Sequence, residues 1–159
     1  MRHVVRILSF LAISFVMAGC LFVPIISGFR DMGATADARQ EMLKKAVKAF
    51  HDAVRSSNMT VAMSFIDKEK NPELREAIRN EMRRLRDKEK VVDSKLDFVE
   101  YDDDSYTADV EVRSKFFVVP YYVVNEKLET EKWEFETIGS KWILVSRKSE
   151  LMQDGEVIK

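Results

Sequence analysis

Cysteine and histidine are scarce in this sequence of 159 residues, which contains one cysteine and two histidines. A single cysteine excludes an intramolecular disulfide framework and a zinc site built from several thiolates. Only five glycines and three prolines are present, which excludes collagen-like and linker-rich architectures. The formal net charge is −1, so no overall basic field would attract nucleic acid. The 46% hydrophobic and 33% charged residues are typical of a globular chain.

The N-terminal segment is apolar and uncharged over a long stretch. Arg2 and Arg6 precede residues 7–29, which carry no charge and end at Arg30. A basic start followed by an apolar stretch is typical of a secretory signal, and its positive charges favour the cytoplasmic side. We therefore expect the rest of the chain to be extracytoplasmic and attached to a membrane.

The only cysteine lies within this apolar segment. Met17-Ala18-Gly19-Cys20 resembles the lipobox of bacterial lipoproteins, in which the cysteine is acylated and becomes the mature N-terminus. The resemblance implies a signal peptide over residues 1–19, a lipid on Cys20 and a place in the cell envelope, in the periplasm. Alternatively, residues 1–19 and 20–29 together form an uncleaved anchor, since about 20 apolar residues span a membrane. We favour the lipoprotein interpretation.

Helical periodicity dominates the first half of the remaining chain. Residues 30–36 form a joint, and helices are predicted over residues 35–57, 60–67 and 72–90. The first has an apolar stripe at helical spacing, made of Leu43, Val47, Phe50 and Val54. Asn71-Pro72-Glu73 favours the start of the third helix, because proline is well placed at the first helical position and an acid in the first turn.

From Val91 onward the apolar residues alternate with a period of two, which predicts strands. Residues 106–113 read as a half-buried antiparallel strand. Trp133 and Phe135 alternate with acidic residues in a later strand, and a last strand is predicted over residues 142–147. Leu128 is out of phase with Trp133, which predicts a bulge between them.

Three helices followed by four antiparallel strands predict an α+β domain over residues 37–148, with the helices packed on one face of the sheet. Residues 149–159 are predicted to be a loose tail. The long first helix, the short second one and the terminal hairpin over residues 133–145 resemble the nuclear transport factor 2-like superfamily, whose domains are cystatin-like cones. The resemblance implies a strongly curved sheet wrapped around the first helix, with a pocket at the open end.

Candidate pocket residues are few. Enzymes of that superfamily, such as ketosteroid isomerase and dehydratases, place an acid, a tyrosine or a histidine in the pocket, so His51 and Tyr106 are the candidates that the resemblance implies. Asp97 and Asp109 fall on the polar phase of their strands and are expected to face solvent. No catalytic residue, metal site or other cofactor is predicted.

Residues 116–124 form an uncharged run of nine, Phe-Phe-Val-Val-Pro-Tyr-Tyr-Val-Val. Alternation along a strand sends its side chains to both faces, whereas the helices of a small domain cover one face. The second face must therefore meet the curled sheet itself, the C-terminal tail, a partner or the membrane surface. Pro120 must interrupt the strand or lie at an edge. The predicted partner-binding residues are Phe117, Val119, Tyr121 and Tyr122.

The leading hypothesis is a non-enzymatic, membrane-tethered module that binds an envelope protein, or a second copy of itself, within an envelope complex. The alternative is a carrier of a small apolar ligand or lipid, which predicts an apolar pocket. The third hypothesis is an enzyme of the isomerase or dehydratase type, which predicts a buried acid or histidine in the pocket. A protein-binding module predicts a filled cone and an exposed apolar surface.

Overall fold

The computed structural model describes residues 32–153 and 156–157. Three helices precede the strands, as predicted, and the class is α+β. The helices are α1 (Ala36–Arg55), α2 (Met59–Ser64) and α3 (Pro72–Asp87). The strands are β1 (Glu89–Tyr101), β2 (Thr107–Val118), β3 (Val124–Glu136), β4 (Lys141–Gln153) and the two-residue β5 (Glu156–Val157).

The predicted anchor and Cys20 lie outside the described residues. Among the residues that are described, no helix is both long enough and apolar enough to cross a membrane.

The helix boundaries follow from local chemistry. The Thr35 hydroxyl accepts a hydrogen bond from the Ala38 N–H at 3.2 Å and caps the start of α1. Pro72 occupies the start of α3, as predicted. The face that α1 buries contains the predicted apolar stripe and one charged residue, Arg39.

The sheet is a curved antiparallel meander in the order β1-β2-β3-β4-β5. Its inner face, defined by Val110, Val112, Trp133 and Leu144, packs against the helices. The centre of this core is aromatic, because the Phe50 ring meets the Trp133 ring edge-on with the centroids 5.8 Å apart.

The bulge expected in β3 between Leu128 and Trp133 is absent from its pairing with β2, where the register is unbroken. The irregularity lies in β4, because Lys132 pairs with Ser146 whereas Trp133 pairs with Leu144. β3 therefore keeps its alternation, and Leu128 stays on the opposite face from Trp133.

Two other expectations need correction. β2 ends at Val118 and β3 begins at Val124, so residues 119–123 form a hairpin loop rather than a two-sided strand. Pro120 lies in that loop, which agrees with its inability to donate a ladder hydrogen bond. The predicted tail also begins too early, because residues 149–153 continue β4, and residues 149–152 pair with β3.

Trp142 joins the sheet to α1. Its side chain is 2% exposed, its ring lies 5.5 Å from the Phe135 ring between centroids, and its Nε1–H donates to the Arg39 carbonyl at 2.8 Å. One side chain therefore fills the core and satisfies a buried carbonyl.

Replacement of Trp142 by alanine should lower the free energy of unfolding by about 3–5 kcal/mol, the usual cost of deleting a large buried aromatic side chain. Trp142→Phe should cost less, since it keeps one aromatic ring, although it loses the hydrogen bond to Arg39 and part of the ring volume. Urea unfolding followed by the fluorescence of Trp133 measures both. Equal stability of Trp142→Ala and the wild type would contradict the packing described here.

Candidate functional site

Charged side chains meet on the inner face of the sheet, beneath α1. This buried charge cluster consists of His51 from α1, Glu81 from α3, Lys127, Glu129 and Glu131 from β3, and Arg147 from β4. The alternation of β3 explains it, because positions 127, 129 and 131 continue the inward phase of Trp133 and Phe135.

Arg147 lies at the centre of the cluster, with its side chain 5% exposed. Its guanidinium donates hydrogen bonds to Glu81 and Glu129, and its Nε lies 3.1 Å from Glu131 Oε1. Lys127 Nζ lies 2.9 Å from Glu81 Oε1 and 2.7 Å from Glu129 Oε1. Each buried cation therefore contacts at least two carboxylates, which compensates its loss of hydration.

The pairing keeps Glu81 and Glu129 ionised. Burial alone would raise the pKa of Glu81, but Arg147 and Lys127 outweigh it and lower that pKa to about 2. The pKa of Glu129 is also lowered, since the same two cations overcome its burial. Conversely, burial would lower the pKa of Arg147, but the carboxylates around it raise that pKa overall. Carboxylates held ionised in this way are weak general bases near neutral pH.

His51, the first candidate pocket residue, lies between the cluster and a cavity. Its Nε2 is 3.0 Å from Glu131 Oε1 but lacks the geometry of a hydrogen bond, and its Nδ1 is 3.7 Å from Glu129 Oε2, which is too long for one. Tyr106, the second candidate, lies away from it. The guanidinium of Arg39 stacks 4.1 Å from the Tyr106 ring centroid, so the structure does not bring the two candidates together.

The cavity has a volume of about 540 Å³ and lies between α1 and the first two strands. Most of its lining is charged or polar, with Lys44, Lys48, His51, Asp52, Arg55, Asp93, Ser94 and Lys95 around the apolar side chains of Val47, Leu96 and Val112. None of these residues comes from β3 or β4. The cavity therefore opens beside α1, next to the edge strand.

A hydroxyl relay connects this cavity with the cluster. Ser114 Oγ donates to Glu129 Oε2 at 2.8 Å, and Ser94 Oγ lies 3.0 Å from Ser114 Oγ. Because a hydroxyl has one hydrogen, Ser94 must be the donor to Ser114. The Ser94 oxygen can therefore act only as an acceptor toward the cavity.

The hairpin loop between β2 and β3 exposes a second candidate surface. We call residues 119–124 the apolar tip. The exposed fractions are 40% for Val119, 79% for Tyr121, 66% for Tyr122, 63% for Val123 and 58% for Val124. Three of the four predicted partner-binding residues are therefore exposed here, whereas Phe117 is half-buried.

Backbone hydrogen bonds to residues outside the loop hold the apolar tip in place. The Val119 N–H donates to the Lys88 carbonyl at 2.9 Å, and the Tyr121 N–H donates to the Val118 carbonyl at 2.9 Å. The rings of Phe117 and Tyr122 also contact each other, with centroids 5.3 Å apart. The exposed side chains thus project from an ordered turn.

The first described residues lie at the other end of the sheet. Arg39 donates to the carbonyls of Gly33, Asp104 and Ser105, which ties the joint to the turn between β1 and β2. Gly33 has a φ of +65°, and a Cβ there would lie 2.5 Å from the Phe135 ring, so the joint fits only glycine. The twelve residues of β2 separate this end from the apolar tip by about 40 Å.

The sequence prediction missed the cluster residues Glu81, Lys127, Glu129, Glu131 and Arg147. Every second residue counted back from Trp133 is Glu131, Glu129 and Lys127, so the period of two would have predicted that these three side chains face the core. Within the described part of the chain, no group of three or more His, Cys, Asp or Glu side chains is arranged to hold a metal ion.

Comparison of the chain with family models, with curated proteins and with solved structures gives no match. The function must therefore be inferred from the geometry of the chain itself.

The cluster makes stability sensitive to acid. Glu81 titrates at about 2 in the folded chain against an ordinary 4.5, so its contribution is complete above about pH 5 and is lost as pH falls toward 2. This difference corresponds to about 3 kcal/mol. Glu81→Gln should lower the free energy of unfolding at pH 7 by about 3–5 kcal/mol, because it leaves buried cations short of a partner.

Glu81→Gln should also show a shallower loss of stability between pH 5 and 2, as measured by urea unfolding across that range. Glu134→Gln is the control, since Glu134 is an exposed glutamate of β3, the strand that carries Glu129 and Glu131. A wild-type acid slope in Glu81→Gln would contradict the role given to the cluster.

Proposed function

We propose that this chain is a membrane-tethered, extracytoplasmic protein-binding module, which docks through its apolar tip onto another protein of the cell envelope. The observation that carries the proposal is the exposure of Val119, Tyr121, Tyr122, Val123 and Val124 on one ordered turn. Single exposed apolar residues are common on protein surfaces, but a contiguous group of them is typical of an interaction site.

The hydrogen-bonded backbone of the turn lowers the entropy cost of docking, which supports this function. Tyrosine suits an interface, because it combines an apolar ring with a polar end. The hydrogen bonds from Val119 and Tyr121 already fix the loop backbone, so little conformational entropy remains to be lost on docking.

The position of the apolar tip favours a protein over the membrane surface as its partner. The joint at Gly33 is fixed to the opposite end of the sheet through Arg39. If the preceding segment is anchored as the sequence predicts, the membrane lies at that end. The apolar tip then points away from the bilayer, toward neighbouring envelope proteins.

The interior of the sheet supports the two other hypotheses less well. A carrier of apolar ligands requires an apolar pocket, whereas the cavity beside α1 is lined mainly by charged and polar groups. An enzyme of the isomerase or dehydratase type needs an acid or histidine in the pocket that is free to act. His51 is the candidate that lines the cavity, and its Nε2 lies 3.0 Å from Glu131 Oε1. The buried carboxylates Glu81 and Glu129 are ion-paired with Arg147 and Lys127, and Trp133 and Phe50 fill the rest of the core.

A photo-crosslinking residue in place of Tyr121 in the full-length protein, in its native host, should yield one discrete adduct with another envelope protein. Adding Val123→Asp should remove that adduct, because it places a charge within the apolar contact. The matched control is the same crosslinker at Ile138, which is 88% exposed in the turn at the opposite end. An adduct of twice the chain's own mass, an adduct to lipid, or equal adducts at both positions would contradict the proposal.

We expect Cys20 to carry the lipid that tethers the module. Cys20→Ser should abolish metabolic labelling with a radioactive fatty acid and leave the unprocessed precursor, since the acylated sulfur is absent. Val123→Asp should label normally, as its change is remote from the signal. Membrane attachment of the wild type without labelling would favour the uncleaved transmembrane anchor instead.

A further inference from the structure

Three basic side chains border the apolar tip, at the point where α3 ends and β1 begins. We call Arg86, Lys88 and Lys90 the basic group. The Lys88 carbonyl accepts the hydrogen bond from the Val119 N–H, and Lys90 pairs with Phe117 in the sheet. The Phe117 ring in turn contacts the Tyr122 ring. The basic group therefore lies beside the apolar tip.

The basic group carries an excess of positive charge. The hydrogen bond from Arg86 to Asp87, 2.9 Å long, lowers the pKa of that carboxyl, and the nearby charges of Lys90 and Lys88 lower it further. Three cations thus share one carboxylate, which leaves a net charge of +2. The adjacent pair of Arg84 with Glu89 is neutral as a whole.

Only part of this charge serves the helix. Lys90 Nζ donates to the carbonyls of Leu85 and Arg86 at 3.3 and 2.9 Å, which satisfies the C-terminal end of α3. The Arg86 side chain is 66% exposed, and Lys88, which follows the last helical residue, is also exposed. A docked partner can therefore contact Arg86 and Lys88 without disturbing the end of the helix.

The two ends of the sheet differ in charge. Lys115 lies further along β2, pairs with Glu126 at 3.2 Å and is opposite Asp93 in the ladder, so the positive excess is confined to the end near the apolar tip. The turn at the other end contains three consecutive aspartates, residues 102–104. Arg39 donates to backbone carbonyls of that turn. An acidic surface is therefore attracted to the apolar tip and repelled by the opposite end.

We propose that the surface of the partner protein that receives the apolar tip is an apolar recess bordered by Asp or Glu side chains. The acids face Arg86 and Lys88, while the recess takes Tyr121 and Val123. This inference rests on the proposed function and adds the charge of the partner. Apolar contact supplies most of the affinity, whereas the basic group directs the encounter and fixes its orientation.

Charge reversal in the basic group tests the inference, in isolated envelopes that contain the full-length protein with the crosslinker at Tyr121. Arg86→Glu with Lys88→Glu should lower the yield of the adduct after brief irradiation by about 10-fold or more. Arg86→Gln with Lys88→Gln should lower it less, because it removes the attraction without adding repulsion. Lys132→Glu with Lys148→Glu, two exposed lysines of β3 and β4, is the matched control and should leave the yield unchanged.

Salt provides a second readout that a merely structural effect would not produce. The wild-type yield should fall as salt rises from about 0.05 to about 0.5 M, since exposed charges are then screened. The yield of Arg86→Gln with Lys88→Gln should depend less on salt. Circular dichroism checks that each variant keeps the fold, and Lys90 is left unchanged because it holds the end of α3.

The partner itself provides the sharpest test. Mass spectrometry of the adduct should identify a partner peptide with Asp or Glu residues next to the crosslinked position. Replacing those acids by lysine should weaken the wild-type adduct and restore the adduct of Arg86→Glu with Lys88→Glu, because the two charges are then exchanged.

The inference and the proposed function fail in different ways. Unchanged yields in both variants of Arg86 and Lys88, or a partner peptide without acidic residues, would overturn the inference and leave docking at the apolar tip intact. A lipid adduct that charge reversal removes would assign the basic group to an anionic bilayer and would overturn it as well. Absence of any adduct from the wild type would refute docking itself, and the inference with it.

Discussion

The buried ion pairs of Arg147 constrain how the helices pack on the sheet, and the fold depends on them. The Arg147 guanidinium lies where a sheet of this kind usually buries an apolar side chain, and it holds Glu81 of α3 against Glu129 and Glu131 of β3. Burying charge is unfavourable unless every member has partners. The helices and the sheet must therefore meet in one alignment, since a shift of α3 along the sheet would leave an uncompensated charge on both sides.

His51 forms the boundary between the cluster and the cavity. Its Nε2 lies 3.0 Å from Glu131 Oε1, and it also lines the cavity. On its other side, Glu131 accepts a hydrogen bond from the Trp133 indole N–H through Oε2. The Ser94–Ser114–Glu129 relay makes the second connection across the same boundary. The polar interior and the cavity thus share a wall built from α1 and β1.

The elements that the sequence predicted well are those with a local signal. The helical spacing of the apolar residues from Leu43 to Val54 is enough to predict α1. The fixed φ of Pro72 is enough to predict the start of α3, so both helices could be placed without knowledge of the fold. In β3 the alternation conflicts with side-chain polarity, because counting by twos from Trp133 turns the apolar Leu128 outward and the charged Lys127 and Glu129 inward. The burial of these two charges is tolerated because they pair with each other and with Glu81 and Arg147, which are distant in sequence.

The uncharged residues 116–124 show the same limit of sequence-based prediction for a surface segment. Its composition predicted either core or interface, and Pro120 predicted a break, but the pairing of Phe117 with Val124 decides that the break is a hairpin. The five residues 119–123 then lie outside the strands, and all of them are exposed.

The direction of the apolar tip is a property of the rigid sheet. Arg39 fixes Gly33 at one end, the ladder between β2 and β3 is continuous, and Val119 is bonded to Lys88 at the other end. No flexible linker lies between the joint and the apolar tip. The joint and the apolar tip therefore keep to opposite ends of one sheet, and what is attached at the joint is separated from what docks at the tip by the length of β2.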